Sequence, residues 1–184
     1  MKKVVLFGDS IRQIGYGNRV CELLGEDYTV WQPEDNCRFA SYTLRMLFDY
    51  QEQLKGADII HFNCGLWDVC DLFGDGAFTP LEDYVRTMAR IAAILKTYAP
   101  TVIFATTTTP DPEMPGHDIN RLKTYNAAVC AALEPMGVRI NDLFTPVASD
   151  IDGMICEDHI HLSAHGIEVC AKQVADCIRA AGNP

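Results

Sequence analysis

The sequence predicts an α/β fold in which one parallel sheet is covered by helices on both faces. Short apolar runs, typical of buried strands, alternate along the chain with longer segments whose apolar residues recur at helical spacing. Five segments of each kind follow one another, and turn-forming residues separate them. The 184 residues suit a single domain, and neither a repeat nor a linker divides residues 1–184. We expect a three-layer, flavodoxin-like domain with the strand order 2-1-3-4-5.

Local patterns place the elements in chain order. The predicted strands cover residues 3–7, 28–32, 58–63, 101–106 and 138–141. The predicted helices cover residues 16–24, about 42–54, 80–95, 118–133 and 164–178. Ser41 or Thr43 is expected to cap the second helix, and Ser163 the last. Thr79-Pro80-Leu81-Glu82 reads as a capping box with proline at the first helical position. Irregular loops are expected at 107–117, which holds three prolines, and at 142–162.

The composition indicates which kinds of molecule this protein does not bind. The formal net charge is −10, which argues against a surface that binds nucleic acid or an anionic membrane. Met1-Lys2-Lys3 runs directly into the first strand, and no apolar stretch is long enough to span a bilayer. We therefore expect a small-molecule substrate, with neither nucleic acid nor membrane as a partner.

The eight cysteines predict reduced thiols and not disulfides or a zinc site. No two of them form a C-x-x-C pair, and several occupy apolar helical positions, where cysteine acts as a small hydrophobic residue. Without a signal segment, free thiols in a cytoplasmic protein are the expectation.

Ser10 is a candidate nucleophile because of where the first strand ends. The run Val4–Phe7 stops at Gly8-Asp9-Ser10, a turn that should lead into a helix. In open α/β sheets, ligands bind beyond the carboxyl ends of the strands. From this stretch alone, a helix-capping or turn serine explains the residue equally well.

A second candidate stretch, Asp158-His159-Ile160-His161, lies in the loop before the last helix. A spacing of three residues in a turn lets the Asp158 carboxylate hold one ring nitrogen of His161 while the other faces outward. His159 is an alternative base, and a solvated turn with two surface histidines is an alternative structure. A third alternative is a metal-dependent hydrolase, since Asp158, His159, His161 and His165 are dense in potential ligands.

These motifs together resemble the blocks of the SGNH, or GDSL-type, serine hydrolases. The blocks are Gly8-Asp9-Ser10 after the first strand, Gly65-Leu66-Trp67-Asp68 after the third, and Asp158-His159-Ile160-His161 before the last helix. The resemblance implies a flavodoxin-like fold and an esterase mechanism. It assigns Ser10 as nucleophile, His161 as base and Asp158 as its orienting acid. It also implies that the backbone N–H of Ser10 is one oxyanion donor and that no metal or organic cofactor is used.

The third block departs from the family pattern Gly-x-Asn-Asp. The asparagine in that pattern donates to the oxyanion, whereas this chain has Trp67, whose indole offers a single N–H. The family glycine expected in the second loop is also missing between Gly25 and Gly56. Asn36 in that loop and Asn63 at the end of the third strand are the candidate substitutes. A turn-forming role for Asn36 and a strand-end role for Asn63 explain the two residues equally well.

The predicted substrate is a small acyl ester, with an O-acetyl group on a carbohydrate as the leading hypothesis. The variant third block resembles family members associated with carbohydrate deacetylation. The predicted binding residues are Asp9, Arg12, Gly65 and Trp67, in addition to the two asparagines. Further polar and aromatic candidates at the same edge are Arg38, Phe73, Thr107, Thr108 and Thr109. The alternative function is a non-catalytic, phosphate- or nucleotide-binding domain whose Gly8-Asp9-Ser10 amides cradle a phosphate.

Overall fold

A computed structural model, which describes residues 1–182, contains one five-stranded parallel sheet. The strands are β1 (Lys2–Phe7), β2 (Tyr28–Trp31), β3 (Ile59–Asn63), β4 (Thr101–Ala105) and β5 (Arg139–Asn141). Their order is β2-β1-β3-β4-β5, which confirms the predicted fold class and strand order. β1 pairs in parallel with both β2 and β3, so the strand that leads to Ser10 lies inside the sheet.

Helices cover both faces of the sheet. They are α1 (Gly17–Leu24), α2 (Ala40–Asp49), α3 (Gln51–Leu54), α4 (Leu66–Val69), α5 (Leu81–Tyr98), α6 (Ile119–Leu133), α7 (Phe144–Ser149), α8 (Ile151–Met154) and α9 (Ala164–Gly182). α1 packs against α9, whereas α5 packs against both α2 and α6. α9 turns an apolar face to the core, where Cys170, Ala171, Val174 and Ile178 are fully buried. Among the described helices, none is long and apolar enough to cross a membrane.

Several predicted boundaries were wrong. The second helix stops at Asp49 and restarts at Gln51, and Phe39 is its N-cap instead of Ser41 or Thr43. The Thr43 hydroxyl donates to the Cys37 carbonyl at 2.8 Å and therefore lies inside the helix, tied to the preceding loop.

The predicted capping box at Thr79 does not form. α5 begins at Leu81, one residue later than expected, and Pro80 takes the cap position without a side-chain hydrogen bond. The Thr79 N–H donates to the Asp68 carbonyl at 3.0 Å, so this residue belongs to the loop that precedes the helix.

The loop expected at 142–162 contains the short helices α7 and α8. An aspartate bonds the first turn of each helix: Asp142 accepts the Thr145 N–H at 3.1 Å, and Asp150, the N-cap of α8, accepts the Gly153 N–H at 3.3 Å. The predicted cap of the last helix is confirmed, since the Ser163 hydroxyl accepts the Gly166 N–H at 3.0 Å.

Candidate active site

Ser10 lies at the carboxyl edge of the sheet, immediately after β1 and a two-residue turn. A wide helical turn, Ile11–Tyr16, begins directly after it and leads into α1, so the helical segment starts earlier than the predicted residue 16. Asp9 fixes this turn: its carboxylate accepts the Ile11 N–H at 3.0 Å, and its carbonyl accepts the N–H groups of Arg12 at 3.1 Å and Gln13 at 3.0 Å. These three bonds fix the backbone that follows Ser10.

The turn requires glycine at position 8 because Asn63 packs against it. A Cβ atom on Gly8 would lie 2.0 Å from the Asn63 Oδ1 atom. The Asn63 amide nitrogen donates to Asp9 Oδ1 at 2.6 Å, and the Asn63 oxygen accepts the Tyr16 hydroxyl at 2.7 Å. Asn63 is 4% exposed, and both its amide nitrogen and its amide oxygen are hydrogen-bonded. The structure therefore gives Asn63 a supporting position beneath Ser10 instead of the oxyanion role considered from the sequence.

Asp9, a predicted binding residue, is buried at the base of the same turn. It is 1% exposed, and burial raises the pKa of its carboxyl group, although the hydrogen bond from Asn63 opposes the rise. Its position at the base of the turn fixes the backbone on both sides of Ser10.

Arg12, a predicted binding residue, is not among the walls of the cavity that contains Ser10. It is 1% exposed, and its guanidinium donates to the carbonyls of Pro33 at 2.7 Å, Asp35 at 2.7 Å and Gly8 at 3.1 Å. Since these acceptors occupy the fork of the guanidinium, Arg12 ties the second loop to the Ser10 turn.

Asn36 forms a local turn in that second loop. Its side-chain oxygen accepts the Arg38 N–H at 2.8 Å, and Arg38 adopts a φ of 51°, a left-handed conformation that favours glycine. The Cys37 N–H donates to the Gly8 carbonyl at 3.1 Å. The turn-forming interpretation of Asn36 therefore describes its geometry, and the Cys37 and Arg38 amides are already engaged.

Gly65 shapes the third loop, where the φ of this residue is +151°. A Cβ atom there would lie 2.2 Å from the Thr107 hydroxyl oxygen, which itself bonds the Cys64 carbonyl at 3.1 Å. α4 follows directly and presents Trp67, which is 43% exposed. Gly65 is therefore needed for backbone close approach, and Trp67 faces the open side of the site.

Asp68, the last residue of the third block, has a structural role. It is fully buried, and its carboxylate accepts the Ala40 N–H at 3.0 Å. Burial raises the pKa of Asp68 to about 6, although hydrogen bonds from Thr79 and Ala40 oppose the rise. This contact joins α4 to the beginning of α2 and so fixes the loop that carries Trp67.

The Asp158–His161 pairing predicted from the spacing is present. His161 Nδ1 lies 2.6 Å from Asp158 Oδ2, and Asp158 Oδ1 accepts the N–H groups of His161 at 2.9 Å and Ile160 at 3.0 Å. Burial alone would raise the pKa of Asp158, but the hydrogen bonds from His161 outweigh it and hold this pKa well below its usual range. The carboxylate is ionised and leaves the other ring nitrogen of His161 free to accept a proton.

The two stretches meet at one cavity of ≈ 180 Å³. Its walls combine Ser10 with residues from the loops after β3 and β4 and from the His161 loop: Leu66, Trp67, Cys70, Leu72, Met114, His117 and Ile160. The Leu162 side chain also lies beside Gly15, close to the Ser10 carbonyl. Because Ile160 precedes His161 directly, the loop that carries the predicted base forms part of the wall of the cavity that contains Ser10.

The remaining candidates lie elsewhere. Phe73 is 81% exposed and is not a wall of the cavity, and Thr107, Thr108 and Thr109 are buried. Sequence reasoning missed Leu72, Met114 and His117, whose only signal is that they lie in loops after a strand, at the carboxyl edge of the sheet. Burial lowers the pKa of His117, so its ring is neutral at pH 7.

The metal alternative is not assembled as the sequence suggested. His159 has a φ of 66° and turns away from His161, so that its Nδ1 lies 3.5 Å from Asp111. Among the described residues, the group whose ligand atoms lie within 4.8 Å of one another is Asp111, Glu113 and His159, without Asp158 or His161. His165 lines a different cavity, next to Leu23.

No protein-family model and no curated protein matches the sequence. Solved structures do match. An acetyl xylan esterase, AlAXEase, has a TM-score of 0.80 at 18% identity, covering 96% of this chain and 99% of that one. A catalytic mutant of an acetylxylan esterase from Geobacillus stearothermophilus has a TM-score of 0.78 at 17% identity, covering 100% and 95%.

A third match is a lipase/acylhydrolase from Enterococcus faecalis, with a TM-score of 0.72 at 20% identity, covering 98% of this chain and 96% of that one. At these identities the matches establish the fold. The chain shares the three-layer fold of these esterase and acylhydrolase structures over nearly its whole length.

Proposed function

We propose that this protein is a serine ester hydrolase that removes small acyl groups, with O-acetyl groups of a carbohydrate as the substrate class. The observation that carries the proposal is the Asp158 carboxylate paired with His161 at 2.6 Å, in the loop whose Ile160 lines the cavity that contains Ser10. A serine hydroxyl needs such a base, and the base needs such a carboxylate to hold its tautomer.

The first half of the reaction forms an acyl-enzyme. His161 Nε2 takes the proton of the Ser10 hydroxyl while Ser10 Oγ attacks the ester carbonyl carbon, which gives a tetrahedral oxyanion. The C–O bond to the alcohol then breaks, and His161 returns the proton to the leaving alkoxide. Asp158 holds Nδ1–H and stabilises the imidazolium that forms in between.

The second half repeats these roles with water. His161 takes a proton from a water molecule, the hydroxide attacks the acyl carbon, and Ser10 leaves with the proton returned by His161. The products are the carboxylic acid, the free alcohol and the unchanged enzyme.

The oxyanion donors follow from which N–H groups the fold leaves unoccupied. The backbone N–H of Ser10 is one donor, and the Trp67 indole is the second, because Trp67 occupies the family's asparagine position and lines the cavity with Ser10. The Asn63 amide is bonded to Asp9 beneath the turn, and the Cys37 and Arg38 amides are bonded to Gly8 and Asn36.

The cavity supports a small acyl group. Its walls are mostly apolar, and ≈ 180 Å³ compares with an apolar cavity of about 150 Å³ that holds benzene. An acetyl group fits with room to spare, and an acyl chain of about six carbons sets the upper limit.

An aromatic rim beside the cavity supports a sugar as the alcohol. Phe39 and Phe78 pack with ring centroids 5.2 Å apart, and Phe78 is joined by its N–H to the carbonyl of Cys70 in the cavity wall at 2.8 Å. Trp67 and Phe78 are each 43% exposed, and amphipathic rings at a wet surface suit the face of a pyranose. Two of the matched structures are acetylxylan esterases, which supports the same substrate class. A cytoplasmic location stays a prediction from the sequence.

The test is hydrolysis of p-nitrophenyl acetate by the wild type, Ser10→Ala and His161→Ala, each with and without a chelator. We expect kcat/KM to fall by about 10⁴-fold or more in both variants and to be unaffected by the chelator. Acetate release from acetylated xylo-oligosaccharides by the same set tests the alcohol. Activity that survives Ser10→Ala would refute the proposal.

A further inference from the structure

The Asp158 carboxylate has a side-chain donor that the motif does not include. The Cys156 thiol donates to Asp158 Oδ1 at 3.1 Å, on the oxygen that does not contact the His161 ring. Cys156 is partly exposed. It belongs to residues 156–161, the loop that carries Asp158 and His161, which we call the catalytic loop.

The backbone of Cys156 also braces this loop. Its N–H donates to the His161 carbonyl at 2.8 Å, and its carbonyl accepts the His159 N–H at 3.0 Å. An antiparallel bridge between Ile155 and Leu162 closes the loop just outside these bonds. Cys156 therefore touches both partners of the catalytic pair, the acid by its side chain and the base by its backbone.

The chemistry of the thiol suits a donor. An ionised carboxylate only accepts hydrogen bonds, so the Cys156 sulfur must carry its hydrogen to hold Oδ1. Burial, together with the negative charge of Asp158, raises the pKa of the Cys156 thiol, which keeps it protonated at neutral pH. Together with the Ile160 and His161 amides, the thiol fixes Oδ1 and thereby aims Oδ2 at His161.

We propose that Cys156 is a positioning residue that holds the catalytic carboxylate Asp158 in the orientation that aligns His161. This inference rests on the proposed esterase function. The expected consequence is a change in kcat and not in KM, because Cys156 is not among the cavity walls.

The test compares donors and non-donors at position 156 with a distant control. Cys156→Ala and Cys156→Val lack a donor, and valine keeps most of the volume, whereas Cys156→Ser restores an O–H donor. Cys177→Ala is the matched control, since Cys177 is a partly buried thiol on α9 outside the catalytic loop. We expect Ala and Val to lower kcat on p-nitrophenyl acetate by roughly 3- to 10-fold at unchanged KM, and Ser and the control to stay within about twofold of wild type.

Thermal melting of each variant separates positioning from folding. Wild-type kcat in Cys156→Ala and Cys156→Val, or an equal loss in Cys156→Ser, would overturn the inference. Ser10→Ala is measured beside them. If Ser10→Ala is inactive while Cys156→Val equals wild type, the inference fails alone, whereas an active Ser10→Ala removes the esterase function on which it depends.

Discussion

The turn that carries Ser10 is held by buried side chains that reach two other parts of the chain, whereas the Asp158–His161 pair is held by hydrogen bonds within its own loop. Around Ser10, Asp9 and Arg12 are each 1% exposed and reach β3 and the second loop. Around His161, the Asp158 side chain is 47% exposed, and the hydrogen bonds that the structure gives it come from residues 156–161.

This difference separates stability from catalysis. A buried network that joins distant segments contributes to folding and to site geometry together, because an unpaired buried polar group is costly. An exposed local network contributes little to global stability, since its members keep access to water when it breaks. Substitutions in the two regions should therefore give different combinations of effects.

The largest expected effect is on catalysis in the exposed loop. Asp158→Asn places an amide opposite Nδ1 and favours the wrong tautomer of His161, so kcat should fall by about 10⁴-fold. Because Asp158 is half-exposed, the free energy of unfolding from urea titration should change by less than about 1 kcal/mol. A stability loss of several kcal/mol in this variant would remove the contrast between the regions.

The next effect is on stability in the buried turn. Arg12→Leu leaves the carbonyls of Pro33 and Asp35 without the guanidinium that donates to them, and the free energy of unfolding should fall by roughly 3–5 kcal/mol. Arg86→Leu, which removes an exposed arginine paired with Asp83, is the control and should change it by less than about 0.5 kcal/mol. Equal losses in the two variants would show that Arg12 is not a structural link.

The smallest expected effect is the pH dependence of the core beneath the Ser10 turn. His61 on β3 is fully buried, its ring packs edge-on to Tyr16 at 5.9 Å, and Asn141 donates to its Nε2 at 3.2 Å. Burial lowers the pKa of His61 to about 3, whereas the unfolded chain titrates near 6.5. The unfolded state therefore binds more protons between these values, and stability falls as the pH drops through this window.

Urea denaturation at pH 7 and pH 5 measures this effect. The wild type should lose about 2 kcal/mol more than His61→Phe between the two values, because the variant lacks the titrating ring. Both proteins contain the same carboxylates. The contribution of these groups to the pH dependence of stability therefore cancels when the two slopes are compared. Identical slopes would mean that His61 is accessible to protons in the folded state.

The same contrast explains which parts of the site were predictable. The Asp158–His161 pair followed from a spacing of three, because both residues lie in one turn and the geometry is local. The hydrogen bonds that Asn63 and Arg12 make could not be predicted for the opposite reason. Their hydrogen-bond partners lie 54 and 21 residues away, and nothing in the neighbouring sequence marks them as buried.

The residues that form the cavity walls could not be predicted from the sequence for the same reason. Met114 and His117 lie in an irregular loop after β4, and their position beside Ser10 depends on how that loop folds back across the sheet. Cys156 looked like one more small hydrophobic residue, and only the closed loop brings its thiol to Asp158.

By itself, the sequence determined the parallel sheet, its strand order and the three blocks that carry the candidate triad. These features depend on hydrophobic periodicity and on short motifs, both of which are encoded within a few residues. Only the tertiary structure decided which polar residues are buried supports, which line the cavity, and where the short helices lie. Those properties depend on contacts between segments far apart in the chain, and the free energy of burying a polar group is set by the partner that it meets there.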